Sequence, residues 1–166
     1  LIRLADIPQH ELPTPFWVRV RPLLSGICGS DLAAITARGG VYLSAFTSFP
    51  FVFGHEVVGV VEEIGESVTK VQIGQRVVIE PTLGCEVRGI QERCRPCSRG
   101  HYGNCEYVTT GDIGPGLIIG YCRDTGGGWG TSFVANESQL YPITDDIADE
   151  AAVLVEPLSC AIHAVL

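Results

Sequence analysis

The stretch Gly54–Val68, GHEVVGVVEEIGESV, carries two kinds of information at once. Val57–Glu63 is rich in β-branched residues and reads as a strand. Just before it, a glycine-flanked turn presents His55 and Glu56, two side chains able to bind a metal or a proton. Upstream, FWVRVRPLLS (Phe16–Ser25) sets Val18 and Val20 against Arg19 and Arg21, the alternation of a half-buried strand. The 166 residues include 20 glycines and 10 prolines and are 46% hydrophobic, which suits short strands and turns around one core. The expected class is mainly β with flanking helices.

Charge narrows the function. A net charge of -8 disfavours nucleic acid and anionic membranes as partners, because both repel it. No apolar run reaches the roughly 18 residues of a membrane span, and no signal-peptide pattern opens the chain. These features predict a cytoplasmic protein with no nucleic-acid or membrane partner. The chain opens at Leu1 and holds no methionine, so it reads as part of a longer protein.

Seven cysteines could mean disulfides or metal. The odd number and the missing secretory signal disfavour disulfides. In ERCRPCSRGHYGNC (Glu92–Cys105), Cys94 and Cys97 form a C-x2-C pair, and Cys105 follows after seven intervening residues. Such a turn brings two thiolates to one ion from the same loop, as tetrahedral zinc requires. Cys85 is the preferred fourth ligand, because it would close the Cys85–Cys105 loop at both ends; His101 is the competing donor. A site filled by four protein ligands is structural and orders a loop that has no core of its own.

A second set of ligand types is scattered along the chain. Cys28 sits in the turn after the first strand, within GICGSDLAAITARGG. Ser30 or Asp31 is a plausible N-cap for a helix over Leu32–Arg38. His55 and Glu56 follow. Near the end, DDIADEAAVLVEPLSCAIHAVL reads as two helical segments meeting at Glu156, with Pro157 first in the second.

Taken in order, GICGSDL, GHEVVGVVEEIGESV, the cysteine lobe and VEPLSCAIHAVL resemble the catalytic domain of zinc-dependent medium-chain dehydrogenases, in the polyol, glucose and threonine branch. The resemblance covers nearly the whole chain. It implies a GroES-like β-barrel over residues 1–155, with the zinc lobe at 85–105. Residues 156–166 would begin a C-terminal helix leading to a Rossmann domain absent from the chain. It implies one catalytic zinc held by Cys28 and His55, completed by Glu56 or Glu156 directly or through water, and one structural zinc. Ser30 would take the substrate proton, and Asp31 would orient His55. The implied reaction oxidises a secondary alcohol (a polyol, sugar or amino alcohol) by hydride transfer to NAD or NADP held mainly by the other domain. The full-length protein would be a homo-oligomer, and this chain alone inactive.

Three departures from the family pattern stand out. The lobe of the family runs C-x2-C-x2-C-x7-C, whereas here EVRGIQER separates Cys85 from Cys94. Ala33 stands where many relatives carry a proton-relaying histidine, and Gly29 where ethanol dehydrogenases carry a basic residue. Neither Gly111–Gly120 nor Thr125–Ala135 has the spacing of a dinucleotide loop; the latter leads into a strand and reads as a hairpin turn. Of the two competing carboxylates, Glu156 is favoured for the catalytic zinc, because adjacent residues on an extended segment, such as His55 and Glu56, point to opposite faces. Cys122 and Cys160 read as structural thiols, with Cys160 also a substitute ligand through its i+4 spacing from Glu156. The competing functions are a non-catalytic zinc-binding or interaction module on the same scaffold, and a zinc-free quinone or enoyl reductase, which the cysteines oppose.

Overall fold

A computed structural model describes residues 2–36, 38 and 45–165. Its centre is a five-stranded antiparallel sheet in the order β4-β1-β2-β3-β5. The strands are β1 (Trp17–Ser25), β2 (Val57–Ile64), β3 (Arg76–Ile79), β4 (Phe133–Asn136) and β5 (Leu140–Pro142). The helices are short: α1 (Gly29–Ile35), α2 (Arg95–Ser98), α3 (Asp149–Ala152) and α4 (Val155–His163). None of them is long and apolar enough to cross a membrane.

The sheet curls, and its connectivity shows why. β4 and β5 are opposite edges, yet only a three-residue 3-10 turn, Glu137–Gln139, joins them. Four extended residue steps reach about 14 Å at most. The edges of a flat five-stranded sheet lie about 19 Å apart. The strands therefore wrap into an open barrel with the turn across its seam. Gln139 ties that seam down, donating from Nε2 to the carbonyls of Glu80 and Thr82 at 3.0 and 3.1 Å.

Inside the barrel lie Trp17, Val18, Val20, Val57, Val61, Val77 and Phe133. Val58 and Val78 point to the other face, where Ala152 of α3 covers them. The β1–β2 pairing shifts register twice, once between Pro22 and Leu24. Proline has no ladder N–H, so an irregularity there costs little.

Four expectations need adjustment. Arg19 is not on a solvated face: it is buried, with Nε 2.7 Å from Glu63 Oε2 and Nη1 donating to the His10 carbonyl. The first helix starts at Gly29, not Leu32, with Cys28 as N-cap; Asp31 is its third residue, and its carboxylate accepts the Cys28 N–H at 2.9 Å. Its described part ends at Ile35, and Ala37 lies outside the described residues. The last helix starts at Val155, so Pro157 is third rather than first. Proline is tolerated there because first-turn N–H groups have no intrahelical acceptor. Thr125–Ala135 is no hairpin turn, since β4 pairs with β1. The segment buttresses another turn instead: Gly128 N donates to Gly54 O, Trp129 N to Phe53 O, and Trp129 Nε1 to Gly26 O.

Candidate metal centres

The lobe brings Cys85, Cys94, Cys97 and Cys105 together, with all four sulfurs within 4.8 Å of one another. All are buried and none is in a disulfide. Cys85 Sγ lies 3.5 Å from Cys94 Sγ and 3.7 Å from Cys105 Sγ. Zinc–sulfur bonds of about 2.3 Å at tetrahedral angles place sulfurs about 3.8 Å apart. The cluster therefore has the size of a zinc tetrathiolate. His101 is exposed and outside the group.

Backbone geometry prepares these sulfurs. Cys94 caps α2, which places Cys97 one turn along. Amide groups then point at sulfur: Cys94 N to Cys85 Sγ and Tyr107 N to Cys105 Sγ, both 3.4 Å. At Cys94, burial works against ionisation, but bonds from the Glu106 and Cys97 amides and from Cys85 and Cys97 prevail, bringing the thiol down to about 7. Burial pushes the Cys85 and Cys97 thiols up. One low and two raised thiols in contact are what a metal must reorganise into thiolates.

The insertion inside the lobe contains a tie that its sequence did not advertise. Arg88 is fully buried. Its guanidinium donates to five carbonyls: Leu83, Thr110, Ile113, Gly114 and Gly116, at 2.9, 3.0, 3.1, 3.2 and 2.5 Å. The residues between Cys85 and Cys94 thus pin segment 110–116 and join the lobe to the barrel.

The second group comprises Cys28, His55 and Glu56, whose ligand atoms also lie within 4.8 Å of one another. Cys28 comes from the N-cap of α1, and the other two come from the turn before β2. Strand alternation does not separate His55 from Glu56, because neither lies in the strand and Gly54 turns the chain at φ +100°. Only glycine fits at Gly54: a Cβ would lie 2.6 Å from Trp129 Cδ1. Asp31 is completely buried behind the group, with Oδ1 3.5 Å from His55 Nδ1. That nitrogen has no closer hydrogen-bond partner. Tyr121 donates to the same Asp31 oxygen at 3.4 Å, and its ring lies 5.9 Å from the His55 ring. Burial raises the Tyr121 phenol, opposed first by a hydrogen bond with Ser30.

Glu156 is not in the three-residue group. It lies in the first turn of α4 and accepts a 3.6 Å contact from Cys160 Sγ. Burial raises its carboxyl, opposed first by the charge of His55. The three-residue group thus includes Glu56 and not Glu156. Sequence reasoning missed Tyr121, Arg88 and Gly26; only the closely spaced glycines around them hinted at tight contacts.

The profile of the alcohol dehydrogenase GroES-like domain family matches residues 14–145. The chain belongs to this family. As a GroES-like domain it is similar to (R,R)-butanediol dehydrogenase of Saccharomyces cerevisiae, at 30% identity over 96% of this chain and 44% of that enzyme. It superposes on galactitol-1-phosphate dehydrogenase from Escherichia coli with a TM-score of 0.76 and 26% identity, covering 99% of this chain and 41% of the other. It also superposes on a short chain alcohol dehydrogenase from Escherichia coli CFT073 complexed with NADH, with a TM-score of 0.71 and 29% identity, covering 95% of this chain and 39% of the other. The chain spans less than half the length of each.

Proposed function

We propose that this chain is the catalytic domain of a zinc-dependent dehydrogenase that oxidises a secondary alcohol, of the polyol, sugar or amino-alcohol class, with NAD or NADP as hydride acceptor. The observation that carries this reading is the convergence of Cys28, His55 and Glu56 apart from the four-cysteine lobe. A structural lobe alone would serve any scaffold. A second, mixed sulfur–nitrogen–oxygen donor set of three groups has the composition of a catalytic zinc site with room for a substrate. The relatives' names, a butanediol and a galactitol-phosphate dehydrogenase, support the substrate class.

Zinc at such a site supplies a Lewis acid that polarises the alcohol oxygen and lowers its pKa. The chain's own residues do the rest. Asp31 holds the imidazole of His55 by its Nδ1 edge and fixes its orientation. Ser30, exposed at the start of α1, takes up the alcohol proton as it hands its own hydroxyl proton to solvent water. The rings of Phe51, Phe53, Tyr121 and Trp129 contact one another at 4.9–6.0 Å and wall one side against water. In this proposal residues 1–155 form the catalytic domain, and 156–166 begin the connection to a cofactor domain. The exposed Leu158 and Ile162 of α4 support such a neighbour. Self-association of the whole enzyme belongs to the same proposal.

The test is metal content together with turnover of the full-length protein. Two zinc ions per chain and NAD(P) reduction with vicinal diols or polyols are expected, and Cys28→Ser removes one zinc and the turnover. One zinc per chain with no turnover on any alcohol means a non-catalytic module.

A further inference from the structure

We infer that the Tyr121 hydroxyl is a positioning group that fixes the Asp31–His55 pair for alcohol oxidation, an inference that rests on the dehydrogenase reading. The phenol is held from all sides. Its ring stacks on Phe51 at 5.2 Å and meets Phe53 edge-on at 6.0 Å. Its backbone is bonded at both ends, Tyr121 N to Ile118 O and Ser48 N to Tyr121 O. The hydroxyl is therefore delivered to one place by a rigid frame.

That place is the crossing point of two contacts. Asp31 is wholly buried, and each of its carboxylate oxygens has an assigned neighbour. Oδ2 takes the Cys28 N–H at 2.9 Å, whereas Oδ1 is shared by Tyr121 at 3.4 Å and His55 Nδ1 at 3.5 Å. Tyr121 thus limits how much of the Asp31 charge reaches the imidazole. Remove the hydroxyl, and Oδ1 faces His55 alone. The imidazole then becomes a stronger donor to whatever it binds.

The test compares Tyr121→Phe and Tyr121→Ala in the full-length enzyme loaded with zinc, and separately with cobalt. Tyr121→Phe keeps the ring stack, so folding and metal count are expected to stay wild type. Its kcat is expected to fall about tenfold or more with KM little changed, the lower end of what altering the outer-shell support of a metal ligand costs. The acidic limb of its kcat–pH profile is expected to move to higher pH, because stronger donation by His55 makes the bound alcohol harder to ionise. Without substrate, the visible absorption bands of the cobalt-loaded variant are expected to shift. If Tyr121→Phe matches wild type in kcat, pH profile and cobalt spectrum while only Tyr121→Ala is impaired, the ring merely packs and the inference fails. If wild type itself lacks the second zinc or any alcohol-dependent NAD(P) reduction, the dehydrogenase reading fails instead.

Discussion

A Cβ on Gly26 would lie 2.0 Å from Oε2 of Glu56. The Glu56 carboxylate occupies the space that any other residue at 26 would fill, while Gly26 N donates to Glu56 O at 2.8 Å. Glycine is needed here for close approach, not for an unusual φ. The worst overlap falls on the far end of a flexible side chain and Glu56 Cβ lies at 3.0 Å, so Gly26→Ala displaces the carboxylate at small cost to the fold. The melting temperature is expected to change by no more than a few degrees, about 1 kcal/mol or less. Zinc affinity at the Cys28–His55–Glu56 site is expected to fall about 10- to 100-fold in chelator competition, as when a ligand's support is lost. Wild-type affinity in Gly26→Ala would show that Glu56 is not a ligand.

Arg88 supports the opposite kind of prediction, a large effect on stability. Its guanidinium satisfies five carbonyls that flank the lobe on either side in sequence. Arg88→Met keeps much of the apolar stem but strands those oxygens away from water. Hydrogen bonds to a charged group contribute about 1.5–3 kcal/mol each, so the loss is at least about 3 kcal/mol. For a domain of this size that lowers the melting temperature by about 6 °C or more. Differential scanning calorimetry checks it, and a melt within 2 °C of wild type (about 1 kcal/mol or less) would contradict the tie between lobe and barrel.

The elements legible in the sequence are those whose signal is local. The valine alternation marks β1, the run after Glu56 marks β2, and C-x2-C spacing marks the lobe. Barrel closure, by contrast, depends on β4 and β5 being opposite edges, which no window of sequence contains. Tyr121 reaches Asp31 across 90 positions, and Arg88 reaches Gly116 across 28. Both were missed because their partners are set by the fold. The helix boundaries slipped for a different reason. α4 begins after Leu154, which makes no side-chain cap, so Pro157 was the strongest start signal present although it lies two residues inside. Arg19 deceived because Glu63 and His10 bring their acceptors to it from other segments.

Removing one lobe sulfur tests whether the four cysteines act as a separate unit. Cys97→Ser takes away a thiolate from a cluster that has few apolar neighbours besides Val108, Ile90 and Leu117. Zinc is expected to drop by one ion per chain, with the catalytic ion retained. Hydrogen exchange is expected to quicken across residues 85–105 while β2 amides keep their protection, because the barrel core lies in a different cluster. Acid is expected to release the lobe metal of wild type by protonating thiolates. Retention of all zinc in Cys97→Ser, or loosening spread evenly over β1 and β2, would refute an independent lobe.

The final prediction separates Glu156 from Glu56 by pH. Burial raises the Glu156 carboxyl above its ordinary value of 4.5, and the His55 charge and the Cys160 thiol only partly offset this. A carboxyl with a raised folded-state pKa binds its proton more tightly folded than unfolded. In metal-free protein, stability from this group is therefore full below the ordinary carboxylate range. It falls as pH rises through the raised value and then stays flat. Glu156→Gln resembles the protonated form and escapes that fall, so its stability in urea is expected to exceed wild type at pH 7 and to converge with it near pH 4. The partial charge at the start of α4 favours a carboxylate and trims the gain, by about 0.3–1 kcal/mol at most exposed helix ends. The net upward shift means burial outweighs that attraction here. Zinc content supplies the second reading: Glu156→Gln is expected to keep both ions, whereas Glu56→Gln loses the one at Cys28 and His55. Loss of that ion from Glu156→Gln, with full retention in Glu56→Gln, would transfer the ligand role to α4.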